Sequence, residues 1–171
     1  MGAKVFPFDA TIGLGSNIGD KAGNIDRAIA LLTEDGAARC VAASRKYRSA
    51  PWGVTDQDWF VNACIAVATD LSAEALLRRC QDVEQKMGRM RLEKWGPRII
   101  DVDVLTYRDE EIRSADLTVP HPFIAQRAFV LLPLRDIAPD LRIGGKSLDD
   151  MILALDADGT VPLEEVPRGE T

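Results

Sequence analysis

The 171-residue chain has no apolar run approaching the roughly 20 residues a membrane-crossing helix needs. Its opening residues, MGAKVFPFDA, carry one lysine and no sustained apolar stretch, so no secretory signal is expected. Pro7 and Phe8 stand where an acylation signal would place small polar residues. There is no basic tail, and a net charge of −6 argues against a protein that coats nucleic acid. Cysteine is scarce: Cys40, Cys64 and Cys80 are odd in number and too widely spaced for a C-x-x-C metal or redox pair. They read as small buried hydrophobes in a reducing compartment, and the expected location is the cytoplasm. No internal repeat, low-complexity tract or interdomain linker interrupts the chain. One domain over residues 1–171 is expected, with a core at about 11–140, a polar tail at 156–171 and a monomeric state.

What is present fits an ordinary globular protein, with 46% hydrophobic and 28% charged residues. DATIGLGS reads as a strand, followed by a helix whose apolar face is Ile25, Ala28, Ile29 and Leu32, capped by Asp20 or Asn24. ARCVAASRKYRS and WFVNACIAVATD read as two further strands, with a Pro/Gly/Asp loop between them. LSAEALLRRCQDVEQKMG is a helix capped by Ser72 and ended by Gly88. Its apolar stripe is Ala73, Leu76, Leu77, Cys80, Val83 and Met87, with Gln81 and Glu84 on the border. After the charged loop RMRLEKWGPR, IIDVDVLTY is a strand; IAQRAFVLLPLRDIAPD starts as a helix and is expected to bend near Pro133. A short helix is expected near Leu148 to Leu155. The order strand, helix, strand, strand, helix, strand predicts an α+β, ferredoxin-like split βαβ sandwich with a mainly antiparallel sheet.

GLGSNIGD, Gly13 to Asp20, invites a nucleotide-binding reading, but the spacing fits neither G-x-G-x-x-G nor a P-loop. Gly19 comes one residue late, and no Gly-Lys-Ser/Thr follows. The expectation is a tight turn in which Gly13 and Gly15 permit unusual backbone angles and shape a site without gripping an anion.

Asp101-Val102-Asp103 carries more chemistry. Alternation puts both carboxylates on one strand face, with Cα atoms roughly 6.6 Å apart, and Ile100, Val102 and Val104 on the other. Like charges that close repel unless a cation intervenes, and hard oxygen donors of this kind suit Mg²⁺ completed by water and phosphate. Arg89, Arg91, Lys94 and Arg98 precede the pair on one loop. They serve either to neutralise the acids or to hold a polyphosphate, because arginine forks match phosphate oxygens. Isolated surface pairs contribute only about 0–1 kcal/mol each, a weak reason to gather so many. Further on, His121 lies between two prolines, and Arg127 falls in an apolar segment that would bury it at a cost without an anion. Taken singly, Phe60 and Phe129 read as core. Asn62 needs hydrogen-bond partners if buried, and a flat heteroaromatic between the two rings with Asn62 at its edge would use all three.

The run KWGPRIIDVDVL, Lys94 to Leu105, resembles the signature of the hydroxymethyldihydropterin pyrophosphokinases of folate synthesis. The likeness extends through GLGSNIGD, SAPWG, DWFVNA, EQKMGRMR, LTVPHP and RAFVLLPLRDIAPD, in that family's order. It implies transfer of pyrophosphate from ATP to 6-hydroxymethyl-7,8-dihydropterin, giving the pterin diphosphate and AMP. By the same resemblance, Asp101 and Asp103 would hold two Mg²⁺ ions, and Arg89 and Arg98 would act on the phosphates. Gln81, Glu84, Arg91, Val104, Thr118, His121 and Arg127 would line the nucleotide side. Ser49, Ala50, Trp52, Gly53, Phe60, Asn62 and Phe129 would take the pterin. Departures from the family pattern are Ser49 for Thr, Phe60 for Tyr in some members, Phe123 where Arg is common, and Asp116 at a position that can be basic. Alternatives from the residues alone are another Mg²⁺-dependent nucleotidyl- or phosphoryl-transferase and a non-catalytic ligand-binding module of the same fold. A nicotinamide-linked reductase would rest on the glycines only.

Overall fold

The computed structural model describes residues 6–50, 58–88 and 99–166. In chain order the main elements are β1 (Ala10–Ser16), α1 (Lys21–Thr33), β2 (Ala38–Ala43), β3 (Tyr47–Ser49), β4 (Phe60–Thr69), α2 (Ala73–Lys86) and β5 (Asp101–Tyr107). The small hairpin β6 (Ile112–Arg113) and β7 (Thr118–Val119) follows, then α3 (Ala128–Ile137). A second hairpin, β8 (Arg142–Ile143) and β9 (Lys146–Ser147), leads to α4 (Leu148–Leu153) and β10 (Val161–Pro162).

The main sheet runs β10-β3-β4-β1-β5, with β2 also pairing to β4, and every pairing is antiparallel. β1 and β2 flank β4, and β4 and β5 flank β1, so each strand–helix–strand unit is split by a strand of the other. This is the α+β, mainly antiparallel arrangement expected.

Two apolar clusters sandwich the sheet. The larger joins Ala10, Ile12 and Leu14 of β1, Val61, Ile65 and Val67 of β4, and Val102 and Val104 of β5 to α1 and α2. We call this the back face. On the front face, Cys64 and Leu105 pack with Ile124 and with α3 and α4 through Val130, Leu131, Leu134, Leu148 and Met151. Helix caps follow the sequence: Asp20 accepts from the Gly23 amide at 3.0 Å and Ser72 from the Ala75 amide at 3.1 Å.

Several expectations change. The segment ARCVAASRKYRS is two strands: β2 pairs with the Ile65–Thr69 end of β4 and β3 with its Phe60–Asn62 end. Between them the Ser44 hydroxyl accepts the Cys64 amide at 2.9 Å, replacing a ladder bond. Cys40 is exposed, because β2 borders the sheet and bulges after it; Cys64 and Cys80 are buried, and burial pushes both thiols up. Pro133 lies within an unbroken α3, and the irregular turn falls earlier, at Ile124–Gln126. Finally, Gly13 and Gly15 are ordinary strand residues; the left-handed backbone belongs to Gly19, φ +68°.

The segment expected as a polar tail supplies β10. Val161 pairs with Arg48 and Pro162 with Tyr47, the Leu163 amide donates to the Lys46 carbonyl at 2.8 Å, and Leu163 packs against the back-face core.

Candidate active site

The front face is open beyond the N-terminal end of α3, and there it forms a cavity of about 400 Å³. Its floor follows from strand parity and register. Gly15 stands opposite Asn62 on one side and Asp101 on the other; Gly13 stands between Cys64 and Asp103 in the same way. Two cross-sheet rows result, Asn62–Gly15–Asp101 and Cys64–Gly13–Asp103. With strands about 4.8 Å apart, the amide and carboxylate of the first row rise from backbones separated by roughly 10 Å.

The central strand carries glycine here because a side chain would fill the gap. A Cβ on Gly15 would lie 2.7 Å from Asn62 Oδ1, and one on Gly13 would reach Leu105 at 3.4 Å. Asn62 is buried, and its Nδ2 donates to Ser49 Oγ at 2.6 Å. That bond fixes which way the amide turns.

At the floor's acidic side, Asp101 is half-buried and Asp103 exposed. The Val102 amide, between them, points away from β1 and donates to Glu84 Oε2 at 3.1 Å. Glu84 is only 6% exposed, so α2 covers the outer edge of β5 with a buried carboxylate. A bulge at Leu105 shifts the β1–β5 register, Thr11 facing Thr106 and Ile12 facing Val104. The His121 amide donates to the Leu105 carbonyl at 2.8 Å, tying the segment before α3 to that bulge.

His121 Nδ1 accepts the Phe123 amide at 3.2 Å, so a neutral ring carries its proton on Nε2. Burial, then the Arg127 charge, hold its pKa below the usual value. The Arg127 guanidinium carbon lies 5.0 Å from the Phe123 ring centroid and 5.6 Å from that of Phe129. Burial lowers the Arg127 pKa, opposed by the charges of Asp103 and Asp101. Among the described residues the cavity thus sets the Arg127 cation and the His121 imidazole beside the carboxylates of Asp101, Asp103 and Glu84.

Of the residues expected to form a site, Ser49, Ala50, Phe60, Asn62, Gln81, Glu84, Asp101, Asp103, His121, Arg127 and Phe129 line this one cavity. Two do not. The Val104 side chain is buried in the back-face core, because alternation turns it with Val102, and Thr118 is exposed on β7 outside the lining. Trp52, Gly53, Arg89, Arg91, Lys94 and Arg98 lie outside the described residues. Gly13 and Gly15, expected to shape a site, line the cavity too, and so do Cys64, Leu77 and Phe123, which were not expected as site residues. The sequence placed the glycine pair in a site-shaping turn; the register instead sets it in β1 between Asn62 and the aspartates.

Among the described residues no three His, Cys, Asp or Glu side chains form a ready-made metal cage. The donor set fits Mg²⁺ nonetheless: Asp101 and Asp103 offer hard oxygens on one face of a cavity, and this ion takes its remaining ligands from water and phosphate.

A family model described as 7,8-dihydro-6-hydroxymethylpterin-pyrophosphokinase (HPPK) matches residues 11–139. The class is therefore that of the pyrophosphokinases, transferases of a diphosphate group. Three curated proteins named 2-amino-4-hydroxy-6-hydroxymethyldihydropteridine pyrophosphokinase are similar to the chain. That of Methylorubrum extorquens is 47% identical over 91% of this chain and 98% of its own length. Those of Synechocystis and Bacillus subtilis are 40% and 41% identical, over 90% and 75% of this chain and 80% and 77% of theirs. Among solved structures, an HPPK-DHPS complex with substrates superposes with TM-score 0.69 at 14% identity, over 87% of this chain. A Plasmodium falciparum HPPK-DHPS structure with pteroate gives 0.68 at 14% identity, over 86% of this chain. The chain spans 43% and 42% of those two proteins, and this likeness supports the fold alone. The chain belongs to the HPPK family.

Proposed function

We propose that the protein transfers the β,γ-pyrophosphoryl group of ATP to the hydroxymethyl oxygen of 6-hydroxymethyl-7,8-dihydropterin. The hydroxyl oxygen attacks the β-phosphorus and the bond from that phosphorus to the α,β-bridging oxygen breaks. AMP leaves, and the hydroxyl proton passes to solvent. The observation that carries this reading is one cavity whose lining joins Phe60 and Asn62 of β4 to Asp101 and Asp103 of β5 across the glycines of β1, with His121, Arg127 and Phe129 also in its wall.

On this reading the pterin lies between the Phe60 and Phe129 rings. Asn62, locked by Ser49, meets its edge, and Gly15 leaves room for it. Asp101 and Asp103 hold two Mg²⁺ ions, which when bound neutralise phosphate charge and lower the hydroxyl's pKa. His121 donates from Nε2 to a phosphate oxygen, and Arg127 balances charge gathering on the departing AMP. Arg89, Arg91 and Arg98 are assigned to the phosphates, and Trp52 and Gly53 to the pterin, by the family pattern. Gln81 and Glu84 close the nucleotide side. No side chain is needed as a general base, since alignment and charge neutralisation carry most of such a transfer.

The test is product analysis with Mg²⁺, ATP and the dihydropterin. Stoichiometric AMP and pterin diphosphate are expected; ADP, or tight binding without turnover, would overturn the assignment.

A further inference from the structure

On the side of the sheet away from the cavity, two cations stack over Trp59. Lys21 Nζ lies 3.4 Å from the ring centroid and the Arg48 guanidinium carbon 4.6 Å. The Lys21 side chain opens α1, is 9% exposed, and donates to Asp58 Oδ2 at 2.8 Å. Asp58 is held below the usual carboxylate range, chiefly by that bond. A buried ammonium is costly unless paired, and here a carboxylate and an aromatic face share the task. The chemistry proposed above uses none of these side chains.

Their place in the register gives them a purpose. Arg48 precedes Ser49 and Trp59 precedes Phe60, and Ser49 and Phe60 are register partners on β3 and β4. Strand alternation sends Ser49 and Phe60 forward into the cavity and Arg48 and Trp59 backward. Trp59 packs against the back-face core there. The stack therefore joins the first turn of α1, β3 and the start of β4 directly behind the residues assigned to the pterin. Ser49, in turn, orients Asn62.

We propose that Lys21, Trp59 and Arg48 are positioning residues for the pterin end of the cavity. They fix the β3–β4 backbone from behind, so that Ser49, Phe60 and Asn62 meet the ring in one geometry. The inference rests on the pterin reading above.

Steady-state constants for both substrates test it. Trp59→Ala should raise the pterin KM about tenfold or more, since small misplacements of positioning groups are costly, while the ATP KM stays within about twofold. Lys21→Met, which keeps the ring and the fold, should raise the pterin KM by about three- to tenfold and carries the test if Trp59→Ala does not fold. Trp59→Phe, which keeps a π face beside the cations, should recover most of the loss. An unchanged pterin KM in Lys21→Met, or equal rises in both KM values, overturns the proposal. Asn62→Ala in the same assay separates the two levels. If it raises the pterin KM while the stack variants do not, the stack alone is dismissed; if it too is silent, the pterin assignment falls and takes the stack with it.

Discussion

The two faces of the sheet are built from the same strands and treat them in opposite ways. Behind β4, Val61, Ile65 and Val67 are buried to within 1% of full enclosure; in front, the alternate positions carry Asn62 and Cys64. β5 shows Val102 and Val104 behind and Asp101 and Asp103 in front; β1 shows Ile12 and Leu14 behind and Gly13 and Gly15 in front. The back face is apolar packing throughout, mostly branched aliphatic. The front face keeps such packing only under α3 and α4 and gives it up where the cavity opens. Stability and chemistry are thus separated by side-chain parity, residue by residue, on shared backbone.

That separation can be broken from either side. The largest effect is expected in front: Asp101→Ala or Asp103→Ala should reduce turnover at least about 1000-fold, in line with loss of metal-assisted charge stabilisation. The same variants should unfold in denaturant within about 0.5 kcal/mol of the parent, as substitutions outside the core do. Next comes the back: Ile12→Ala should cost about 2–5 kcal/mol in denaturant unfolding. Its kcat/KM per folded molecule should stay near that of the parent. Gly15→Ala should come third. Its Cβ would meet Asn62 Oδ1 at 2.7 Å, and the displaced amide should raise the pterin KM about 10- to 100-fold with kcat less affected. A larger effect on melting temperature than on KM would show that Gly15 serves packing instead.

The smallest effect is on pH dependence. His121 has a folded pKa below its ordinary 6.5. The unfolded chain therefore takes up this proton first as pH falls. The stabilising contribution is complete above pH 6.5 and is lost as pH drops from there through the lowered folded value. Comparing melting temperatures between neutral and mildly acidic pH, His121→Asn should flatten that part of the curve; an unchanged slope would remove His121 as its cause.

Much of this was legible in the sequence, for identifiable reasons. The 3.6-residue period of Ile25, Ala28, Ile29 and Leu32 and the caps Asp20 and Ser72 are local signals, and they located α1 and α2. Alternation gave the shared face of Asp101 and Asp103. What escaped depends on which strand lies beside which. Gly13 and Gly15 look like turn residues until β4 and β5 are placed on either side of β1. Cys40 looks like a core residue until β2 is seen to border the sheet. For Val104 the resemblance implied a nucleotide-side place, while the alternation legible in the sequence already set it opposite the aspartates, where the structure buries it in the core. Trp59 read as one more β-former; only the packing of α1 behind β3 and β4 brings Lys21 and Arg48 to its ring.

β10 carries one more consequence. The family match stops at residue 139, yet Val161 and Pro162 form the outermost strand beside β3. Without them β3 would offer an open row of amides and carbonyls, the kind of border that recruits foreign strands. Proline at that outermost place also withholds one donor from any newcomer. A version of the protein trimmed before Val161 should thus be prone to join copies of itself edge to edge, so the final stretch of chain guards solubility.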